Sequence, residues 1–291
     1  MRWLCFWVVL LIVVAPVRAI TYGVTATGPW EDAANWNQPV APTNDPDAVI
    51  QAASGKTITL SSAALISNLV LNDGDATTLS AVIDGGIMRS DKDGVPGWNA
   101  IGYNQSASLT LRNGGSWICD GRVEVGLFEE VDDQVCVFTM EQDSGDVTVS
   151  NDFFLGRNFS GAYSNVSAQA YIKGGTVTVG GAFSIDADGD NFVDIHHAGK
   201  LVVSGNVTNL LNGYIADETL LGNGQTNNLA VAYDGTNTTV SAVPPGYDYT
   251  VKETGFWNDD ANWNADTGSG TINAAPIYDP AAVVKSKSGK T

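Results

Sequence analysis

The fold is decided by a segment that recurs along the chain, first as Gly114-Gly115-Ser-Trp117-Ile-Cys119-Asp-Gly121-Arg-Val123-Glu-Val125-Gly126. It aligns without a gap to residues 144–156, 174–186 and 198–207. The second position of each segment is a glycine, and these four glycines, Gly115, Gly145, Gly175 and Gly199, are spaced by 30, 30 and 24 residues. A period of this length predicts stacked structural repeats.

Apolar residues occupy every second position of these segments, which predicts strands with one buried face. The first strand has two apolar columns, Trp117, Val147, Val177 and Leu201, then Cys119, Val149, Val179 and Val203. A second strand carries the column Val123, Phe153, Phe183 and Val207. A third strand precedes each new glycine and contains Leu109, Phe138, Ala170 and Val193. Between the first two strands, the column Gly121, Asn151, Gly181 and Gly205 predicts a corner with left-handed backbone.

Three strands and a corner in about thirty residues predict one coil of a parallel β-helix. We therefore expect an all-β fold, a right-handed parallel β-helix (β-solenoid) with capping elements, whose coils occupy residues 61–207. Like residues would stack about 4.8 Å apart. Because one coil cannot bury its inner face alone, its neighbours must complete the core.

Residues 1–19 have the pattern of a secretory signal peptide. Arg2 precedes an apolar run from Trp3 to Ala15, and small residues at Val17 and Ala19 suit cleavage after Ala19. The run has 13 residues, fewer than the about 20 that span a bilayer. An uncleaved anchor helix is the alternative.

The chain has 14 Lys plus Arg against 32 Asp plus Glu, a formal net charge of −18. Removal of residues 1–19, which hold two Arg and no acidic residue, would change this charge to −20. Such a charge repels nucleic acid and anionic lipid. We expect a secreted or cell-surface protein with no nucleic-acid partner and no transmembrane span in the mature segment.

The opening of the chain returns near its end. The motif Trp30-x-Asp-x-x-Asn-Trp36 recurs as Trp257-x-Asp-x-x-Asn-Trp263, an offset of 227 residues. Asp45-Pro46 recurs as Asp279-Pro280 at an offset of 234, which predicts a seven-residue insertion around residues 266–271. We interpret residues 246–291 as the truncated start of a second homologous unit and expect the protein to continue beyond Thr291.

Capping elements are predicted at both ends of the coils. We assign residues 20–60 to an N-terminal cap and the first strands, where Trp30 and Trp36 form either a hydrophobic plug or a sugar-stacking platform. At the other end, a helix near Leu211–Ala216 and a hairpin of residues 229–233 and 238–243 form a closing cap, residues 208–245.

These motifs resemble secreted bacterial β-helix repeat exoproteins, many of which carry a PEP-CTERM sorting tail, and the coils are similar to autotransporter passenger domains. The resemblance is carried by the Trp30–Trp36 motif, the Asp45–Val49 strand, the coil Leu109–Gly115 and the closing cap, and it covers nearly all of residues 20–291. It implies a structural or adhesive protein of the cell surface or matrix, with an extracellular polysaccharide or the cell-surface matrix as partner. A glycan-binding module is the alternative.

Catalysis is the rival class of function, because pectate lyases and polygalacturonases are also parallel β-helices. The elements of the hydrolases, Asn-Thr-Asp, Gly-x-Asp-Asp, Gly-His-Gly and Arg-Ile-Lys, do not occur in the chain. Fold alone does not establish an activity. We predict no catalytic activity and keep a polysaccharide lyase or hydrolase as an alternative.

Two groups of residues are candidate sites. Carboxylates at alternate positions, Asp186, Asp188, Asp190 and Asp194, predict a calcium site, with a solvated acidic turn as the alternative; no other cofactor is expected. The loops after Gly126, Gly156 and Asp186 should stack on one edge, which makes Arg157, Phe159 and Tyr163, together with Trp36, candidate ligand-binding residues. Cys119 and Cys136 form either a disulfide or two buried thiols.

Overall fold

The structure is a computed structural model of the chain, and it describes residues 20–52, 55–71, 78–90, 97–103, 105–128, 133–158, 166–196, 198–243, 248–251, 263–266, 271–272 and 283–285. The predicted signal peptide lies outside the described residues. Within them, no helix has the length and apolar character needed to cross a membrane.

Strands dominate the described part of the chain. They are β1 Ile20–Val24, β2 Gly28–Pro29, β3 Asn44–Ala52, β4 Thr57–Leu60, β5 Ala63–Leu71, β6 Leu79–Asp84, β7 Ile87–Ser90, β8 Trp98–Tyr103, β9 Ala107–Arg112, β10 Ser116–Cys119, β11 Arg122–Phe128, β12 Val135–Met140, β13 Val147–Val149, β14 Phe153–Asn158, β15 Ser167–Ile172, β16 Thr176–Val179, β17 Phe183–Ile185, β18 Phe192–Ile195, β19 Lys200–Ser204, β20 Leu220–Gly222, β21 Leu229–Tyr233, β22 Asn237–Ala242, β23 Asp248–Val251, β24 Trp263–Asp266, β25 Thr271–Ile272 and β26 Val283–Lys285. A 3₁₀ helix, Ala33–Asn35, and an α-helix, α1 Thr208–Ala216, complete the described elements.

The strands form three parallel ladders in which each strand pairs with its counterpart in the next coil. The first ladder runs β1-β3-β5-β7-β10-β13-β16-β19, the second β5-β8-β11-β14-β17, and the third β2-β4-β6-β9-β12-β15-β18-β20. The long strand β5 belongs to the first two, which therefore join into one sheet, and β21 and β22 bring this sheet to 14 strands. The fold is all-β with parallel sheets, an arrangement compatible with a β-solenoid.

The register of the ladders confirms the predicted columns. Successive partners are Trp117, Val147, Val177 and Leu201 in the first ladder, Val123, Phe153 and Phe183 in the second, and Leu109, Phe138, Ala170 and Val193 in the third. Each of these side chains is at most 3% exposed. Since burial of one large apolar side chain contributes about 1.5–3 kcal/mol, the core that these columns line is the main stabilising feature of the fold.

The predicted left-handed corner is wrong for Gly121, Asn151 and Gly181, because only Gly205 of that column has a positive φ, 82°. Gly121 is required for space instead: a Cβ there would collide with the carbonyl oxygen of Gly97 in the neighbouring coil. The left-handed glycines recur at another column, Gly102, Gly126 and Gly156, with φ of 81°, 70° and 73°. They lie near the ends of β8, β11 and β14.

The last coil departs from the predicted columns at Val207. This residue precedes α1 as its N-cap, with φ −110° and ψ 19°, instead of continuing the second ladder. The helix that follows buries Leu211 and places the Tyr214 ring 6.1 Å from that of Phe183. The predicted hairpin is present as β21 and β22, and β22 pairs antiparallel with β19. The parallel first ladder therefore ends at β19.

The second copy of the opening motif pairs in the same way as the first. Tyr249 lies opposite Val284 as Tyr22 lies opposite Ile50, and Val251 lies opposite Trp263 as Val24 lies opposite Trp36. Strands β24 and β25 are antiparallel on either side of residues 267–270, within the region of the predicted insertion. The boundary between the two units stays a prediction.

Candidate functional site

A cluster of charged and aromatic side chains lies on the outward face of the second ladder. Val123, Val125, Phe153 and Leu155 are buried in the core, so the residues between them point outward. We call this cluster the arginine–aromatic face and define it by Trp98, Tyr103, Arg122, Glu124, Phe154 and Arg157. The register aligns Arg122 with Trp98, Glu124 with Phe154, and Leu127 with both Tyr103 and Arg157.

Glu124 is the centre of the face. Its side chain is fully buried, although it lies on the outer side of the sheet. Arg157 Nη1 donates to Oε1 at 2.8 Å, and the indole Nε1 of Trp98 donates to Oε2 at 2.7 Å. Arg122 Nε lies 3.3 Å from Oε1 but is not aligned for a hydrogen bond, so this contact is an ion pair. Two guanidinium groups and an indole N–H thus compensate one buried carboxylate.

Aromatic rings flank the buried carboxylate. The Trp98 and Tyr103 rings meet edge to face, with centroids 5.3 Å apart at 88°. The Arg157 guanidinium carbon lies 4.9 Å from the centroid of the Phe154 ring, a cation–π contact. All three rings are partly exposed. Beside them, a cavity of about 200 Å³ is lined by Phe154, Leu155, Arg157, Ser184 and Asp186.

The face lies where the variable loops begin. Strands β11, β14 and β17 are neighbours in one parallel ladder, so the segments that follow them leave the sheet at the same edge. Arg157, a predicted ligand-binding residue, belongs to this face. Phe159 and Tyr163, predicted with it, lie outside the described residues.

Sequence reasoning missed Trp98, Glu124 and Phe154. The available indication was a charged residue between two core positions, Val123 and Val125, with Arg122 two residues before it. The partners of Glu124 are far from it in the sequence: Trp98 is 26 residues before it and Arg157 is 33 residues after it.

Trp36 is packed at the start of the coils. It is 5% exposed, its indole Nε1 donates to the carbonyl of Trp30 at 2.7 Å, and the two rings lie 4.8 Å apart. Asp32 caps the 3₁₀ helix between them by accepting from the Ala34 amide. This packing favours the hydrophobic plug. The ligand-binding role of Trp36 stays a prediction.

The acidic turn is held by an amide side chain. Asn191, 3% exposed, donates from Nδ2 to the carbonyl oxygens of Asp186 and Asp188 at 3.2 and 2.7 Å. Asp188 donates its amide to Asp186 Oδ1 at 3.1 Å. No group of three or more His, Cys, Asp and Glu that could hold a metal ion occurs among the residues described by the structure. Calcium binding by Asp186, Asp188, Asp190 and Asp194 stays a prediction.

Asp194 connects the third ladder to the closing segment. Its Oδ2 lies 2.7 Å from His196 Nε2, and its Oδ1 accepts from the Gly224 amide at 3.0 Å. Burial, with the nearby charge of Asp194, raises the pKa of Tyr171. A cavity of about 530 Å³ adjoins this point and is lined by Glu218, Leu221, Gly224, Gln225, Thr226 and Asn227. The contacts of Asp194 hold the turn at Gly224 against β18.

Cys119 and Cys136 are separate, buried thiols, the second of the two alternatives. Cys119 Sγ accepts from Asn99 Nδ2 at 3.1 Å, and Cys136 Sγ lies 3.3 Å from the carbonyl oxygen of Gln105. Burial raises the pKa of Cys119 to about 11 and that of Cys136 to about 12. Thiols of this kind are poor nucleophiles at neutral pH.

Together, these contacts define a partly exposed charged and aromatic face on a parallel β framework. No family model matches the chain, and no curated protein and no solved structure matches it either.

Proposed function

We propose that this chain is a secreted or cell-surface protein, a structural and adhesive β-solenoid that presents its arginine–aromatic face to an extracellular polysaccharide or matrix. The observation that carries this proposal is the in-register third ladder, in which six successive parallel pairings connect β4 to β20. Repeats that stack in this way make a stiff, extended framework with binding loops on one side.

We propose further that the coils are right-handed. Crossover connections between parallel strands of one sheet are right-handed in about 98% of proteins, because strand twist favours that direction. An experimental structure at a resolution that traces the backbone tests this handedness directly.

Two further features support the surface role. The predicted signal peptide and the net charge of −18 suit an exported chain that does not bind nucleic acid or anionic lipid. The arginine–aromatic face offers hydrogen-bond donors beside apolar rings on the side from which the variable loops leave.

The test is the location and effect of the protein in its source organism. A tagged copy should be degraded by protease added to intact cells, and deletion of the gene should reduce attachment of the cells to surfaces or to each other. A copy protected from protease, or unchanged attachment after deletion, would overturn the proposal. Release of new reducing or unsaturated sugar ends by the purified protein would instead support the lyase or hydrolase alternative.

A further inference from the structure

We infer that the arginine–aromatic face binds an uncharged polysaccharide chain, an inference that rests on the proposed function and names the ligand of its site. The face combines planar apolar rings with fixed polar groups. Sugars offer both complementary surfaces, C–H faces for the rings and hydroxyl groups for the polar side chains.

The face holds two arginines and one glutamate, and Asp186 beside it balances the remaining positive charge, so the region is neutral although the chain is not. Glu124 is within 3.3 Å of both guanidinium groups, and Asp186 lines the same cavity as Arg157. Two positive and two negative charges therefore meet in this region, while the whole chain carries −18. The molecule as a whole would repel a polyanion, and the region formed by the face and Asp186 would offer it no net positive charge. The charge balance favours an uncharged ligand.

The polar groups are held in place before a ligand arrives. Glu124 fixes Arg157 and Trp98 through hydrogen bonds of 2.8 and 2.7 Å, so their binding orientations are already set. The side chain of Arg122 is 40% exposed and that of Arg157 is 34% exposed, which leaves part of each at the surface. A guanidinium group carries five N–H donors in fixed directions, which suits hydroxyl oxygens.

The cavity beside Phe154 is small. Its volume of about 200 Å³ is smaller than the about 300–1,000 Å³ typical of drug-sized ligands. The cavity therefore suits one sugar unit of a longer chain, while Trp98 and Tyr103 contact the neighbouring units.

Affinity electrophoresis tests the inference with β-glucan, xylan, glucomannan and dextran as uncharged probes, and alginate and polygalacturonate as polyanions. The full chain should be retarded by at least one uncharged polymer and by neither polyanion. Phe154→Ala and Arg122→Ala should each weaken that binding at least 10-fold. Arg112→Ala is the matched control, because Arg112 pairs with Asp84 outside the face; this variant should bind as the parent does.

Melting curves establish that every variant is folded before binding is compared. The inference is overturned if no uncharged polymer binds, if the polyanions bind more tightly, or if Phe154→Ala and Arg122→Ala bind as well as the parent does. Any of these outcomes would overturn the choice of ligand only. The proposed surface role would still stand if deletion of the gene reduced cell attachment. Failure of the attachment experiment with intact polymer binding would overturn the role alone.

Discussion

Glu124 carries a charge that its neighbours isolate from water. Glu124→Gln keeps the shape of the side chain but removes the charge that pairs with Arg122 and Arg157. Removing one partner of a fully buried pair costs about 3–5 kcal/mol, and the partial exposure of both arginines reduces the effect here. We expect the free energy of unfolding in urea to fall by about 1–3 kcal/mol.

The matched control for Glu124→Gln is Arg89→Gln, since Arg89 pairs with Asp120 at 2.8 Å while 50% of its side chain is exposed. An exposed pair of this kind contributes less than about 1 kcal/mol. Equal losses in the two variants would contradict the central role of Glu124 in the face.

Because of the two buried thiols, the free energy of unfolding should fall as the pH rises into the alkaline range. Burial raises the pKa of Cys136 to about 12, and unfolding returns it to its ordinary value of 9.0. Between these pH values the unfolded state binds fewer protons than the folded state, so the free energy of unfolding falls as pH rises. Below pH 9 the thiol is protonated in both states, so its contribution to the free energy of unfolding is fully present and does not change with pH.

We therefore expect Cys136→Ala to lose less stability than the parent between pH 8 and pH 10.5. The difference should be about 1–2 kcal/mol, since each pH unit above the unfolded pKa corresponds to about 1.4 kcal/mol for one thiol. Urea unfolding at the two pH values measures it. Equal losses in parent and variant would show that Cys136 ionises as freely in the folded state as in the unfolded state.

At the scale of elements, strand β13 tests whether the core holds the coils together. Val149 is fully buried between Cys119 and Val179 of the adjacent coils, whereas Thr148 on the same strand is exposed. Val149→Asp should lower the free energy of unfolding by more than about 4 kcal/mol, because it buries an unpaired charge. Thr148→Asp should change it by about 0.5 kcal/mol or less. Thermal melting of both variants separates burial from charge, and similar melting curves would refute the predicted core.

The ladders could be predicted from the sequence because each strand repeats one simple pattern. Burial at every second position fixes the face of a strand, and the common spacing fixes its partner, which is why Trp117 is correctly aligned with Val147. Val207 fits the same pattern, but it is the N-cap of α1, which begins at the next residue. A local pattern does not contain that information.

The arginine–aromatic face was beyond prediction for a different reason. Trp98, Glu124 and Arg157 come from three successive coils, and their contact depends on side-chain conformations that spacing does not fix. Gly121 illustrates the same limit for the backbone, because its need for space comes from Gly97 of another coil.

At the scale of the whole molecule, the two copies of the opening motif form separate sets of strand pairs. Among the described residues from 248 to 285, β23 pairs with β24 and β26, and β24 also pairs with β25. The preceding strands β21 and β22 complete the first sheet by pairing with each other and with β19. We therefore predict that residues 20–243 fold without the second copy.

A chain of residues 20–243 should melt within about 2–4 °C of the chain of residues 20–291, which corresponds to about 1 kcal/mol for a protein of this size. The control is a chain of residues 20–204, which lacks α1 and the closing hairpin and so exposes Phe183 and the edge of β19. It should melt at a distinctly lower temperature or aggregate, because repeat arrays need a covered end. A large loss of stability in the 20–243 chain would mean that the second copy stabilises the first.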